Sequence, residues 1–157
     1  MQKILFVCLG NICRSPLGEG IMLHFIQENK LHGSIKVDSA GTAGYHINEA
    51  PDHRTTANAK KNGVDISHLR ARQFSADDFD AFDKIYVMDS GNYKEVLDLT
   101  KNKTHKNKVD YLLNVLHPNQ NKHVPDPYYG SEKDFEEVFQ LVYKACKKII
   151  ESTSNTN

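Results

Sequence analysis

The stretch Ile4-Leu5-Phe6-Val7-Cys8-Leu9-Gly10-Asn11-Ile12-Cys13-Arg14-Ser15-Pro16 decides how this chain is read. Its apolar start predicts a strand over Lys3 to Val7, with the unbroken hydrophobicity of a strand buried on both faces. Its end reads as a helix start, Ser15 at the N-cap and Pro16 at the first helical position. Gly10 and Asn11 tolerate positive φ. The connection can therefore curl until the N–H groups from Leu9 to Arg14 face one centre. Such a nest at a helix N-terminus binds a phosphate-sized anion.

Cys8 falls at one edge of that cradle and Arg14 at the other. The helix end and the guanidinium favour a thiolate there. A free thiol titrates near ~8.5, so lowering it by about three units asks for roughly 4 kcal/mol. A Cys8 thiolate can attack phosphorus and form a cysteinyl-phosphate. Arg14 offers a planar fork that matches two equatorial oxygens. The Ser15 hydroxyl can cap the helix, donate to the Cys8 sulfur, or do both. A strand-end cysteine is more often inert packing. The strand before it, the helix after it and the Arg-Ser pair favour chemistry.

Outward from this stretch, Pro16 to about Asn29 reads as a helix broken by Gly33. Ile35 to Ser39 reads as a second strand, and the pair implies a right-handed parallel crossover. Ala40 to Pro51 is a loop. Asp52 to Asn62 is a helix closed by Gly63. Ser75-x-x-Asp78 is an acidic variant of a capping box opening a short helix. Ile85 to Met88 is a third strand, Asn92 to Leu99 a helix, Lys101 to Lys108 a solvated basic loop, and Val109 to Leu113 a fourth strand. Asn114 to Gly130 is a long Pro-containing loop of the kind that carries function. Ser131 caps a last helix whose apolar face holds Phe135, Val138, Phe139, Val142, Cys146, Ile149 and Ile150. The expected fold is α/β, a doubly wound four-stranded parallel sheet with helices on both faces. Residues 1–152 form one domain and 153–157 a polar tail. In such a sheet, ligands bind beyond the carboxyl ends of strands at a switch point, where Cys8 falls.

Lysine plus arginine and aspartate plus glutamate both number 20 in 157 residues. A formal net charge of zero gives no global field for nucleic acid or membrane. No apolar run reaches spanning length, and the early strand leaves no room for a signal peptide. Three cysteines suit a reducing, cytoplasmic setting better than a disulfide framework. No Cys/His spacing reads as a zinc site, so neither metal nor cofactor is expected.

Cys8 to Pro16 resembles the signature loop of the low-molecular-weight protein tyrosine phosphatases, and Asp126-Pro127-Tyr128-Tyr129 resembles that family's second hallmark. Chain length and motif order match from end to end. The resemblance implies a flavodoxin-related phosphatase fold and hydrolysis of phosphotyrosine proteins or small aryl phosphates, with inorganic phosphate as product. A monomer or weak dimer is expected. It implies Asp126 as general acid and then general base, since Asp-Pro alone reads as a turn. It implies that Leu9, Tyr45, Tyr128 and Tyr129 wall a cleft around the substrate ring. Such a slot favours phosphotyrosine over the shorter phosphoserine. Asn11 and Ser39 resemble positions that brace the loop, and Asp89 a supporting carboxylate. Cys13 resembles a partner for a reversible, shielding disulfide with Cys8; packing is its plainer reading. The family usually has a His two residues before Ala71-Arg72-Gln73, where this chain has Leu69. Either His68 substitutes by a local shift, or the loop is held differently.

Two other readings compete. An arsenate reductase of the same fold needs relay cysteines, and none lies between Cys13 and Cys146. A non-catalytic phosphate-binding redox sensor has no need of Cys8, Arg14, Ser15 and Asp126 together.

Overall fold

Strand β1 (Gln2–Cys8) sits between two parallel neighbours in the computed structural model, which describes residues 1–154. Side chains alternate across a strand, so β1 feeds two cores. Ile4, Phe6 and Cys8 pack with helices α1 (Arg14–Glu28) and α6 (Glu132–Ser154) on one face. Leu5 and Val7 pack on the other face with Phe74, Phe79 and Phe82 around helix α3 (Asp78–Ala81). Strands β2 (Ile35–Gly41), β3 (Lys84–Val87) and β4 (Val109–Tyr111) complete a parallel sheet of order β2-β1-β3-β4. Helices α2 (His53–Lys61), α4 (Ser90–Leu97) and α5 (Lys103–Lys106) fill the crossovers. The four-stranded, doubly wound α/β architecture is the expected one.

The chain leaves β1 toward β2 and returns to pair β3 on the other side. The switch point is therefore the carboxyl end of β1, where Cys8 stands. Small residues let the layers approach. A Cβ on Gly18 would stand 2.7 Å from the Phe6 ring, and one on Gly41 2.7 Å from the Leu9 carbonyl. Gly41 thus admits the Cys8 loop over the end of β2.

Several expected boundaries shift. Helix α1 begins at Arg14 behind Cys13, with no side-chain cap, so Ser15 is not the N-cap and Pro16 not the first helical residue. The Ser15 hydroxyl is taken instead by the site, as described below. Gly10 does not take positive φ; Asn11 does, at φ 57°. Lys101 to Lys108 is not simply a loop, because Asn102 Oδ1 accepts from Thr104 and His105 N–H and caps α5. The fourth strand stops at Tyr111, and Leu112–Val115 forms a 3₁₀ turn. The last helix runs through Ser154, so 153 and 154 are helical rather than tail; the rest of the expected tail lies outside the described residues. Gly63, at φ 85°, ends α2 as expected. The capping box read at Ser75-x-x-Asp78 forms only in half: the Ser75 N–H donates to Asp78 Oδ2, but α3 starts at Asp78 behind Asp77 with no side-chain cap.

Candidate active site

Backbone bonds outside the loop between β1 and α1 shape it. The carbonyls of Cys8, Leu9 and Ile12 accept from Thr42, Ala43 and Asp52 N–H at 2.9, 2.9 and 2.8 Å. A trans peptide points its N–H opposite its C=O. Tying these carbonyls outward turns the N–H groups of Leu9, Gly10 and Cys13 toward the loop centre. The left-handed turn at Asn11 makes the curl. The uncapped start of α1 adds its own N–H groups and dipole to the same centre.

Two hydrogen-bonded systems hold the side chains. In the first, Cys8 Sγ lies 3.0 Å from Ser15 Oγ, and Asn11 Nδ2 donates to Ser15 Oγ at 2.7 Å and to Ser39 Oγ at 2.9 Å. The Arg72 N–H closes on Asn11 Oδ1 at 3.0 Å. In the second, the buried Arg14 donates from Nη1 to Asp89 Oδ2 at 2.7 Å and to the Val124 carbonyl at 2.9 Å. Its Nη2 lies 3.7 Å from Asp126 Oδ2. Burial opposes the Arg14 charge, but Cys8, Asp89 and Asp126 outweigh it and raise the guanidinium above its ordinary value. Burial raises the Asp89 carboxyl too, but the Asn92 N–H and Arg14 prevail and hold it below the usual range. Asp89 therefore stands as an ionised anchor for Arg14.

Cys8, Leu9, Gly10, Ile12, Cys13, Arg14, Tyr45, Asp126, Tyr128 and Tyr129 line one cleft of about 300 Å³. The structure thus brings together the expected nucleophile, phosphate loop, acid and aromatic wall. Ser15, Asn11, Ser39 and Asp89 stand behind it. Tyr45 and Tyr129 are 76% and 96% exposed, so the wall is two rings standing at the rim around an open mouth. Tyr128 stacks edge-on against Tyr129 and lies 5.3 Å from the Arg54 guanidinium, which also covers Phe135.

The family model for low molecular weight phosphotyrosine protein phosphatase matches residues 3–156. The chain belongs to that family. It is 39% identical over 152 residues to the low molecular weight phosphotyrosine protein phosphatase of Gallus gallus, covering 96% of this chain and 95% of that one. A protein tyrosine phosphatase of Entamoeba histolytica, solved with Hepes in its active site, superposes with a TM-score of 0.91 at 37% identity and covers 99% of each chain. YfkJ of Bacillus subtilis superposes with a TM-score of 0.88 at 38% identity, over 100% of this chain and 97% of that one.

The family's usual His near Ala71-Arg72-Gln73 has no stand-in here. His68 is exposed and Leu69 is buried in the core. At the loop, Asn11 Oδ1 accepts from the Arg72 backbone N–H. Sequence reasoning missed three further participants. The Val124 carbonyl anchors Arg14 and could not be read from residue type. His46 joins the cleft rim beside Tyr45 and pairs with Glu49. Glu19 accepts from Ser39 Oγ at 2.6 Å. Its position one helical turn after Ser15, on the helix that follows the loop, was the available signal.

Proposed function

We propose that the protein hydrolyses phosphotyrosine and small aryl phosphates through a cysteinyl-phosphate intermediate. The observation that carries this reading is the placement of Cys8 Sγ, 3.0 Å from Ser15 Oγ, in a cleft shared with Arg14 and Asp126. The phosphoryl group enters the nest with its equatorial oxygens on the loop N–H groups and Arg14. Cys8 attacks phosphorus as the P–O bond to the phenol breaks, and Asp126 gives that oxygen its proton. Water then attacks the thiophosphate, Asp126 takes its proton, and the Cys8 thiolate leaves with the Ser15 hydroxyl donating to it. The cleft ends in exposed aromatic rings, which suits an aryl ester on a protein surface. A steady-state assay with an aryl phosphate tests the reading, and turnover that does not depend on Cys8 would refute it. Cys146, the remaining thiol, is buried against the Gly18 carbonyl, which speaks against a cysteine relay of the arsenate-reductase kind. The reading carries no nucleic-acid or membrane partner, a cytoplasmic setting, and a monomer or weak dimer.

Arg14→Lys tests the fork. A lysine keeps the charge but cannot hold Asp89, the Val124 carbonyl and two phosphoryl oxygens together. The expected loss in kcat/KM is about 10²–10³-fold. A near-wild-type value, with the variant folded by circular dichroism, would show that Arg14 does not contact the phosphoryl group.

The same loop supports redox control. Peroxide converts the Cys8 thiolate to a sulfenic acid and releases hydroxide. The Cys13 thiolate attacks that sulfur and expels hydroxide, which takes up the proton Cys13 released and becomes water, leaving a disulfide. Burial pushes the Cys13 thiol up to about 12. Far below that value its thiolate fraction grows with pH, so ring closure should speed up about tenfold per pH unit. Mild peroxide should inactivate the enzyme and dithiothreitol restore it. Peptide mapping that finds no Cys8–Cys13 linkage in the inactive form would refute the route.

A further inference from the structure

We propose that Glu19 is a positioning residue that sets the direction of the hydrogen-bond relay ending on the Cys8 sulfur, an inference that rests on Cys8 being the nucleophile. The relay has four links. Glu19 Oε1 meets Ser39 Oγ at 2.6 Å, Ser39 Oγ meets Asn11 Nδ2 at 2.9 Å, Asn11 Nδ2 meets Ser15 Oγ at 2.7 Å, and Ser15 Oγ meets Cys8 Sγ at 3.0 Å.

Each hydroxyl has one proton to give. Ser39 gives its proton to Glu19, so it presents only lone pairs to Asn11. The Asn11 amide must then turn its NH₂ toward Ser39 and Ser15. The Arg72 N–H on Asn11 Oδ1 selects the same orientation from the opposite side. Ser15, receiving a proton from Asn11, keeps its own for Cys8 Sγ at 3.0 Å or the Ala40 carbonyl at 3.3 Å. The thiolate is the nearer and the charged acceptor.

Without an acceptor at residue 19, a second arrangement competes. The Asn11 amide can turn over, giving up the Arg72 N–H, and accept from both serines at Oδ1. Ser15 then gives its proton to Asn11, and Cys8 loses its donor. Glu19 thus acts on the sulfur across three intervening side chains without touching substrate.

The surroundings of Glu19 fit this role. The residue is half-buried on α1, facing Asp38 and Ser39 of β2 and Arg72 from the segment after α2. Arg72 is itself engaged by Asp38 at 3.0 Å and by both oxygens of Asp78. Burial pushes the Glu19 carboxyl up to about 7, against the Ser39 hydrogen bond. Near neutrality the carboxyl is protonated part of the time, and a neutral carboxyl still presents a carbonyl oxygen to Ser39. Glutamine presents the same oxygen, whereas alanine presents none.

The test is alkylation of Cys8 by iodoacetamide at pH 6, located by tandem mass spectrometry. Glu19→Ala should slow Cys8 alkylation about five- to tenfold, and Glu19→Gln should recover most of that loss. Ser39→Ala cuts the same link, so Glu19→Ala added to it should slow alkylation no further. The proposal is overturned if Glu19→Ala leaves the rate unchanged, if Glu19→Gln is as slow as Glu19→Ala, or if the two substitutions add. Should Glu19→Ala fail to fold, Glu19→Leu fills the same space without an acceptor and must show the same slowing. Alkylation needs no turnover. Hydrolysis surviving in Cys8→Ser would overturn the catalytic reading, while the alkylation rates would still decide the relay.

Discussion

Cys8→Ser is expected to lose at least about 10⁴-fold in kcat/KM on any aryl phosphate while the protein still binds inorganic phosphate. The two halves of the expectation come from different parts of the loop. On the proposed reading phosphate binds to N–H groups turned inward by the outward carbonyl bonds of Cys8, Leu9 and Ile12, and to Arg14. The substitution alters neither. The nucleophile is another matter. A serine hydroxyl attacks only as it loses its proton to a base. The group beside the residue 8 side chain is the Ser15 hydroxyl, already receiving a proton from Asn11. A hydroxyl in that position is no base. The Ser15 proton that would stabilise a thiolate would meet an oxygen with no charge to stabilise. Steady-state hydrolysis and calorimetric titration with phosphate measure the two halves separately. Turnover above a trace in the variant would end the covalent mechanism. Loss of phosphate binding with the fold intact would mean that Cys8 shapes the cradle.

The sequence made the sheet legible because its signals are local and redundant. Ile4 to Val7 is apolar throughout, as a strand with a core on each face must be, and the structure places those residues alternately in two cores. Helix boundaries were less legible where the site intrudes. Ser15-Pro16 carries the residue types of a helix start, yet α1 opens earlier and without a side-chain cap. The capping rule assumes that the first N–H groups need a protein acceptor; here they have no side-chain cap and open onto the loop between β1 and α1. The hydroxyl that would have capped is spent on Cys8 and Asn11. The site's members were readable by type, but their connections were not. His68 and Leu69 lie one step apart, and only burial decides between them: Leu69 enters the core and His68 faces water. A backbone N–H, that of Arg72, holds Asn11, and no residue type announces it. Val124 likewise contributes only a backbone carbonyl, from within the long Pro-containing loop, and no residue type announces that.

Asp126→Asn should slow phenyl and tyrosyl phosphate hydrolysis by roughly 10²–10⁴-fold and slow dinitrophenyl phosphate much less. A phenol leaves badly as its anion, with a pKa near ~10, and a general acid matters in proportion to that need. An activated phenol departs unprotonated and forgoes the acid. Two carboxylates stand near the phosphate site, and their settings differ. Asp89 is bonded to Arg14 and to the Asn92 N–H, which hold it ionised and leave it no proton to give. Asp126 stands 3.7 Å from Arg14, beyond a hydrogen bond, on the exposed loop that walls the cleft. Its Oδ1 accepts from the Tyr128 N–H at 3.1 Å, and the buried Pro127 anchors the turn. Oδ1 is thus engaged by the turn, and Oδ2, on the Arg14 side, is the oxygen that would give the leaving group its proton in an in-line displacement. Because Asp126 must carry its proton into the first step, the basic limb of the kcat/KM profile should flatten in the variant. Asparagine keeps the acceptor for Tyr128, so the loop itself should survive the substitution. If the variant instead loses the same factor on every leaving group and keeps the basic limb, Asp126 shapes the loop and another group must supply the proton. Asp89, held ionised by its two donors, could not take over that role without releasing Arg14.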